Sequence, residues 1–261
     1  MKPLLNASGI EIGYAEGLHQ QTLLTNFSFA LAHREVVTIL GPSGVGKSSL
    51  LRVLAGLSPA RSGTVYYEDH PLNGPHPHLS VAFQAPSLIP WLNLEKNVAF
   101  GLDFKRQPHL TKQEQQKRID EAIHAVGLDT HRRKFPSQLS GGMAQRTALA
   151  RSLARQPKVL FLDEPFGALD EVTRTDMQHL LLSVIRQQQT AAVMITHDID
   201  EALLISDRII LLGGHPGQII GEWVLDFPHP RDELLDELGE MRITILKTLR
   251  HERESLKHQM G

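Results

Sequence analysis

Residues 41–49, GPSGVGKSS, constrain this chain more than any other stretch. Gly41 is followed, after four residues, by Gly46-Lys47-Ser48. The apolar run Val36-Val37-Thr38-Ile39-Leu40 before it reads as a buried strand, and Leu50-Leu51-Arg52-Val53-Leu54 after it reads as the start of a helix. Strand, glycine loop, helix is the context such a loop needs to hold phosphates. Glycines let the backbone curl so that successive N–H groups point inward at an anion. The helix N-terminus adds unpaired donors and a partial positive charge. Lys47 can reach terminal phosphates, and the Ser48 hydroxyl can hold Mg²⁺. The bland alternative is a plain glycine turn. With both flanks correct, the stretch is read as a nucleoside triphosphate site.

Composition narrows what is done with that site. A chain of 261 residues can bury a good core, in one large domain or two small ones. A net charge of −2 gives no sign of nucleic-acid binding. The absence of cysteine excludes disulfides and thiolate metal sites. No leader-like apolar stretch opens the chain and no apolar window is long enough to span a bilayer, so a soluble intracellular protein is expected. The fourteen histidines lie in polar, proline-rich loops such as His76-Pro77-His78, with metal binding and a solvated loop as the two readings.

Along the chain, residues 7–14 and 23–32 alternate loosely, as antiparallel strands do. Residues 63–69 and 79–84 read as further strands, the second ending in Gln84. From Pro86 the texture turns helical. Thr111 with Glu114 is a helix-start signature for a helix to about 126, and polar helical sequence is expected to continue to Pro136. Residues of about 86–155 therefore read as a helical subdomain inserted in an α/β core. Val159–Leu162 is a continuous apolar run ending in Asp163-Glu164-Pro165, the mark of a strand buried on both faces. A helix over 171–187 and strands at 191–195 and 208–212 follow. Polar residues gathered at strand ends place a site along that edge of the sheet. Past Pro230, Leu234, Leu238, Met241, Ile245 and Leu249 share one helix face, which either packs on its own domain or binds a partner.

Asp163 is well placed to hold Mg²⁺ through water near Ser48, and Glu164 to polarise an attacking water. His197, at a strand end, either reaches the γ-phosphate or is structural, and Gln84 has the same two readings. The decisive segment is Leu139-Ser140-Gly141-Gly142-Met143-Ala144-Gln145-Arg146. Ser140 is a helix-capping type with glycines behind it, a second anion site in a chain that already has one. This segment, followed by Val159–Glu164, resembles the signature and Walker B motifs of ATP-binding cassette (ABC) proteins. Tyr14 then matches the adenine-stacking aromatic, and Gly41, Pro42, Ser43, Gly44, Val45, Gly46, Lys47, Ser48 and Ser49 the Walker A loop. Gln84 matches the Q-loop, Gly167–Asp170 the D-loop, and His197 the switch histidine. Phe83-Gln84, Pro90-Trp91, the run Phe166–Asp170 and the run Thr196–Ala202 are most similar to the nitrate/sulfonate/taurine branch of bacterial importers. Arg34-Glu35 departs from the usual Gly-Glu, which bears on a local turn.

The resemblance implies the P-loop NTPase fold of ABC ATPases, with an antiparallel β subdomain and an inserted helical subdomain. It divides the chain into an ATP-binding domain, 1–229, and a C-terminal helical tail, 230–261. It implies ATP hydrolysis with Mg²⁺, held by Ser48, Gln84 and Asp163. Glu164, His197 and Gln84 are the implied catalytic residues. Two copies pair head to tail, each nucleotide lying between one Walker A loop and the partner's Ser140, Gly141 and Gly142, with Asp170 nearby. The implied partners are transmembrane permease subunits and a periplasmic or lipid-anchored solute-binding protein, with no nucleic acid. The implied location is peripheral, on the cytoplasmic face of the cell membrane. Two other classes compete. A soluble ABC protein working on ribosomes, DNA or iron–sulfur assembly would usually resemble tandem cassettes or carry coiled-coil inserts. A GTP switch would need an Asn-Lys-x-Asp motif, which the sequence lacks.

Overall fold

The computed structural model describes residues 2–16, 19–231 and 233–260. The chain forms two compact units, residues 1–75 with 193–261, and residues 76–192.

The first unit opens with two long strands, β1 (Leu5–Glu16) and β2 (His19–Leu31), paired antiparallel from Leu5↔Leu31 onward. Alternation turns Leu5 and Ala7 of β1 into the core, and a register shift between Ala7 and Ile10 changes the phase so that Ile10 and Ile12 are buried too. The turn at Arg34, where the resemblance leads one to expect glycine, is formed. Arg34 adopts φ 63, and the Glu35 carboxylate accepts from the Ala32 N–H at 2.7 Å. Next come β3 (Val36–Leu40), buried at every residue, and α1 (Lys47–Leu54). Then β4 (Ser62–Tyr67) adds to the other side of β1, and β5 (His70–Pro71) pairs with β4. The antiparallel sheet thus runs β2-β1-β4-β5.

In the second unit, β6 (Leu79–Ala82) is followed by α2 (Leu94–Ala99), α3 (Lys112–Ala125) and α4 (Gly141–Leu153). The Thr111–Glu114 capping box is formed in both directions. The expected helical continuation to Pro136 is not there. Gly127 takes φ 67, its N–H donates to His124 O, and the Leu128 N–H donates to Ile123 O, so α3 is closed by a glycine turn. Only 3-10 turns at Asp129–His131 and Pro136–Gln138 follow before Ser140. Then β7 (Val159–Asp163), wholly buried, lies parallel to β6 in the register Leu79↔Val159 to Ala82↔Leu162, and α5 (Glu171–Gln188) follows.

The chain re-enters the first unit within β8 (Ala191–Thr196), followed by α6 (Ile199–Ile205), β9 (Arg208–Gly213), β10 (Gln218–Val224) and α7 (Leu235–Met260). Here the strands run β10-β9-β3-β8, with β9 parallel to β3 and β10 antiparallel to β9. Helix α7 returns onto its own unit. Leu238 and Ile245 are buried against Leu203, Leu211 and Leu225, with Leu234, Met241 and Leu249 packed alongside. Arg231, fully buried, fastens the approach to α7 by donating to the carbonyls of Leu203 (2.7 Å), Ser206 (2.6 Å) and Leu225 (3.2 Å).

Candidate functional site

In the first unit the site residues emerge from the ends of neighbouring strands. β3 runs out at Leu40 into the loop Gly41–Gly46, and β8 runs out at Thr196 into His197. Gly44 (φ 85) and Gly46 (φ 100) occupy left-handed backbone that a side chain would strain. Gly41 is fixed by space, since a Cβ there would stand 2.8 Å from the Leu212 carbonyl oxygen. Pro42, Ser43, Gly44 and Ser48 are exposed, Ser49 is half-buried, and Val45 is buried. The cap of α1 is Gly46, which offers no side-chain cap, and no acidic residue lies in the first turn. A helix N-terminus of this kind carries a partial positive charge that suits an anion. Lys47 is only 5% exposed, and its Nζ donates to Gly41 O (2.8 Å) and Pro42 O (3.0 Å), so the ammonium is folded over the loop itself.

The loop is braced from behind by the turn between β9 and β10. The Gly217 N–H donates to Leu23 O (2.7 Å), and the Thr25 N–H donates to Gly217 O (3.0 Å). A Cβ on Gly217 would lie 2.6 Å from the Val45 carbonyl oxygen. Tyr14, half-exposed on β1 opposite Gln21, offers a ring face for stacking. His197 is exposed on a turn built from buried polar groups. Thr196 Oγ1 donates to Glu201 Oε2 (2.7 Å) and accepts from the Asp198 N–H (3.0 Å), while Asp198 Oδ1 accepts from the amides of Asp200 and Glu201.

In the second unit the parallel pair β6 and β7 delivers Gln84 and Glu164 from the same edge, and the structure brings them together. Gln84 Nε2 donates to Glu164 Oε2 at 3.3 Å. Asp163, the last residue of β7, is nearly buried. Glu164 has φ 43, a left-handed conformation that costs a residue with a side chain about 1–3 kcal/mol. Such strain persists where the surroundings impose it, often at functional positions.

The start of α4 is built as a serine-capped, glycine-rich helix end. Ser140 Oγ accepts from the Met143 N–H (3.3 Å) at the start of α4, and Ser140 and Gly141 are exposed. Gly142 meets the first turn of α5, where a Cβ would stand 2.7 Å from Thr173 Cγ2. The Asp170 carboxylate caps α5, accepting from the N–H (3.1 Å) and hydroxyl (2.8 Å) of Thr173. Those bonds, the amide first, hold its carboxyl below the usual range. Trp91 is 76% exposed, so packing of this ring inside the helical subdomain is ruled out. Its loop is stapled by buried Asn97, which donates to the carbonyls of Ile89 (3.1 Å) and Leu92 (2.8 Å) and accepts from the Ile89 N–H (2.7 Å).

Sequence reading missed Gly217, Thr196, Glu201 and Gln145 as supports of these groups. Only Gln145 carried a signal, a polar residue at helical spacing from Ala148, Leu149 and Ser152 on what proves to be a buried face.

Comparisons with known proteins agree with this geometry. The family described as "ABC transporter" matches residues 24–167. The aliphatic sulfonates import ATP-binding protein SsuB 1 of Xanthomonas axonopodis pv. citri is 41% identical over 248 residues, 94% of this chain and 98% of that protein. The nitrate transport protein NasD of Klebsiella oxytoca is 38% identical over 236 residues, 90% of each chain. Among solved structures, a dimeric post-hydrolysis state of an ATP-binding cassette bound to ADP and Pi has a TM-score of 0.75 and 30% identity, covering 86% of this chain and all of that one. The loop geometry, the second capped glycine helix end and these relatives lead to one conclusion: the chain belongs to the ABC transporter family, and it is one of that family's ATPases.

Proposed function

We propose that this chain is the ATP-hydrolysing subunit of a bacterial importer of the nitrate/sulfonate/taurine type, driving solute uptake through separate membrane subunits. The observation that carries the reading is two helix N-termini of a kind that suits anions, α1 with its glycine cap at Gly46 and α4 with its serine cap and two glycines at Ser140–Gly142, in a chain with one phosphate loop. The second end suits a phosphate brought by another molecule. That supports a head-to-tail dimer in which each nucleotide is shared between a phosphate loop and the partner's Ser140, Gly141 and Gly142, with Asp170 beside it. Relatives named as sulfonate and nitrate transport proteins support the importer branch.

In this reading Tyr14 stacks on adenine, while the amides of residues 41–49 and Lys47 hold the phosphates. Ser48, the Gln84 amide oxygen and, through water, Asp163 are hard oxygen donors of the kind Mg²⁺ takes. The bound ion neutralises charge on the phosphates. Glu164 accepts a proton from the water attacking the γ-phosphorus, and His197 contacts the γ-phosphate; ADP and phosphate leave. The ATP-binding domain is residues 1–229, with the helical subdomain at about 86–155 and the tail at 230–261. Gln84 and the loop through Trp91, with the Trp91 ring outward, form the docking surface for a permease subunit, since a large exposed apolar side chain amid the apolar run Leu88–Leu92 suits a partner contact. A solute-binding protein completes the system. No helix among the described residues is long and apolar enough to cross a membrane, which fits peripheral attachment at the cytoplasmic face.

The test is Glu164→Gln, which keeps the shape and removes the base. Turnover is expected to fall about 10²- to 10⁴-fold with ATP binding retained, so light scattering finds a dimer in ATP and a monomer without it. Adding Ser140→Arg is expected to break that dimer. Wild-type turnover in Glu164→Gln removes the base assignment; a dimer in the double variant removes the shared site. Recovery of the wild-type chain with permease subunits from detergent-solubilised membranes supports the importer reading over a soluble ATPase.

A further inference from the structure

We infer that Gln145 is a positioning residue for Glu164: from α4 it fixes the backbone turn that aims the carboxylate. The inference rests on the reading of Glu164 as the base. Glu164 is a non-glycine residue at φ 43, followed by a proline that restricts it further. Something outside the residue must impose that conformation. Part of the answer is local, since the Gly167 N–H donates to Glu164 O (3.2 Å) and the Leu169 N–H to Phe166 O (3.0 Å). These bonds close a turn but leave its first peptide groups to be oriented from elsewhere. The long-range restraint is Gln145. Its Nε2 donates to Pro165 O at 2.9 Å, and Gln145 is 6% exposed. Pro165 has no N–H, so this carbonyl is its whole backbone hydrogen-bonding capacity. Buried, it needs a donor, and α4 supplies one. Gln145 lines a small cavity whose other walls are apolar, with Ala148, Leu149, Leu162 and Phe166 among them. Burying a carboxamide in such surroundings is costly unless its bond is satisfied.

Helix α4 reaches Glu164 a second time, through the side chain. Gln84 holds the carboxylate at 3.3 Å, and the loop after Gln84 is pinned by Arg151 of α4, which donates to Pro86 O (2.8 Å) and Ser87 O (2.9 Å). Burial lowers the Arg151 pKa, and its guanidinium serves here as a donor to two backbone carbonyls. The helix whose N-terminus is Ser140–Gly142 therefore anchors Glu164 by its backbone, through Gln145, and by its carboxylate, through Arg151 and Gln84. A shift of α4 on meeting a phosphate would be felt at Glu164 in the same chain.

The experiment is Gln145→Met, which keeps the volume and removes the donor. Steady-state ATPase, ATP titration and ATP-dependent light scattering are measured in wild type, Gln145→Met, Glu164→Gln and the double variant. Expected is a fall in kcat of about 10-fold or more in Gln145→Met, with ATP affinity within twofold of wild type. On the Glu164→Gln background the substitution is expected to cost less than twofold, because the group it positions is gone. ATP is still expected to dimerise the double variant. A wild-type kcat in Gln145→Met overturns the inference alone. So does an equal loss on both backgrounds, or a parallel loss of ATP affinity. Wild-type turnover in Glu164→Gln overturns the inference together with the base assignment. If Gln145→Met is recovered only as aggregate, Gln145→Leu, apolar, of similar volume and without a donor, carries the same expectations.

Discussion

Replacing Gly217 by alanine is expected to weaken ATP binding although Gly217 touches no nucleotide. A Cβ at this position would stand 2.6 Å from Val45 O, 3.0 Å from Val45 Cγ2 and 3.1 Å from Leu23 O. Ordinary carbon contacts begin near about 3.5 Å, so something must yield by roughly 0.5–1 Å. The residue cannot easily retreat, because its N–H and C=O are both bonded to β2, at Leu23 O (2.7 Å) and the Thr25 N–H (3.0 Å). The yielding partner is then Val45, in the middle of the phosphate loop. Overpacking of this kind costs about 1–3 kcal/mol. If that strain is relieved only when the loop is mis-set for phosphate, ATP affinity falls by roughly 5- to 150-fold. Calorimetric titration with ATP, beside thermal melts, measures both effects. An ATP affinity within twofold of wild type with a lowered Tm would refute the reasoning, since the turn and not the loop would then have absorbed the methyl.

Lys47→Ala is expected to abolish tight ATP binding or turnover, and an unchanged steady-state ATPase rate in the purified variant would remove the phosphate-site assignment. Asp170 predicts an acid-dependent stability difference. Its folded pKa is lowered by the Thr173 bonds, so its stabilisation is complete above the unfolded value of about 3.9 and is lost as pH falls through the folded one. Thermal melts of wild type and Asp170→Asn should therefore differ near neutrality and converge in acid; a difference constant with pH would falsify the capping account.

The parts legible in the sequence are those whose cause is local. β3, β7, β8 and β9 are buried along nearly their whole length, so each appears as an unbroken apolar run with no need to know its neighbours. The start of α3 is legible because Thr111 and Glu114 satisfy each other within one turn. β10 was not read, because its residues are half-buried and interrupted by Gly221, where a Cβ would meet the Trp223 ring at 2.4 Å. α6 was not read either; at seven residues it is held by Asp198 at its start rather than by a long apolar stripe. The region after Ala125 was read as helix from its polar composition, while Gly127 at φ 67 had already ended it.

The same division runs through the site. The phosphate loop is legible because its requirements, left-handed glycines, an uncapped helix end and a lysine at the first helical position, all fall within nine consecutive residues. The supports of the site residues are not, because each acts across the chain: Gly217 on Val45 of the phosphate loop, Gln145 on Pro165 beside Glu164, and Arg151 on Pro86 after Gln84. A motif states which atoms meet the substrate. What holds those atoms is a set of carbonyl contacts and close approaches that any sequence with the right partner can supply. Glu164 shows the consequence most sharply. Its identity as a carboxylate after an apolar strand is visible in the sequence, whereas its strained backbone and both of its anchors on α4 are products of the fold.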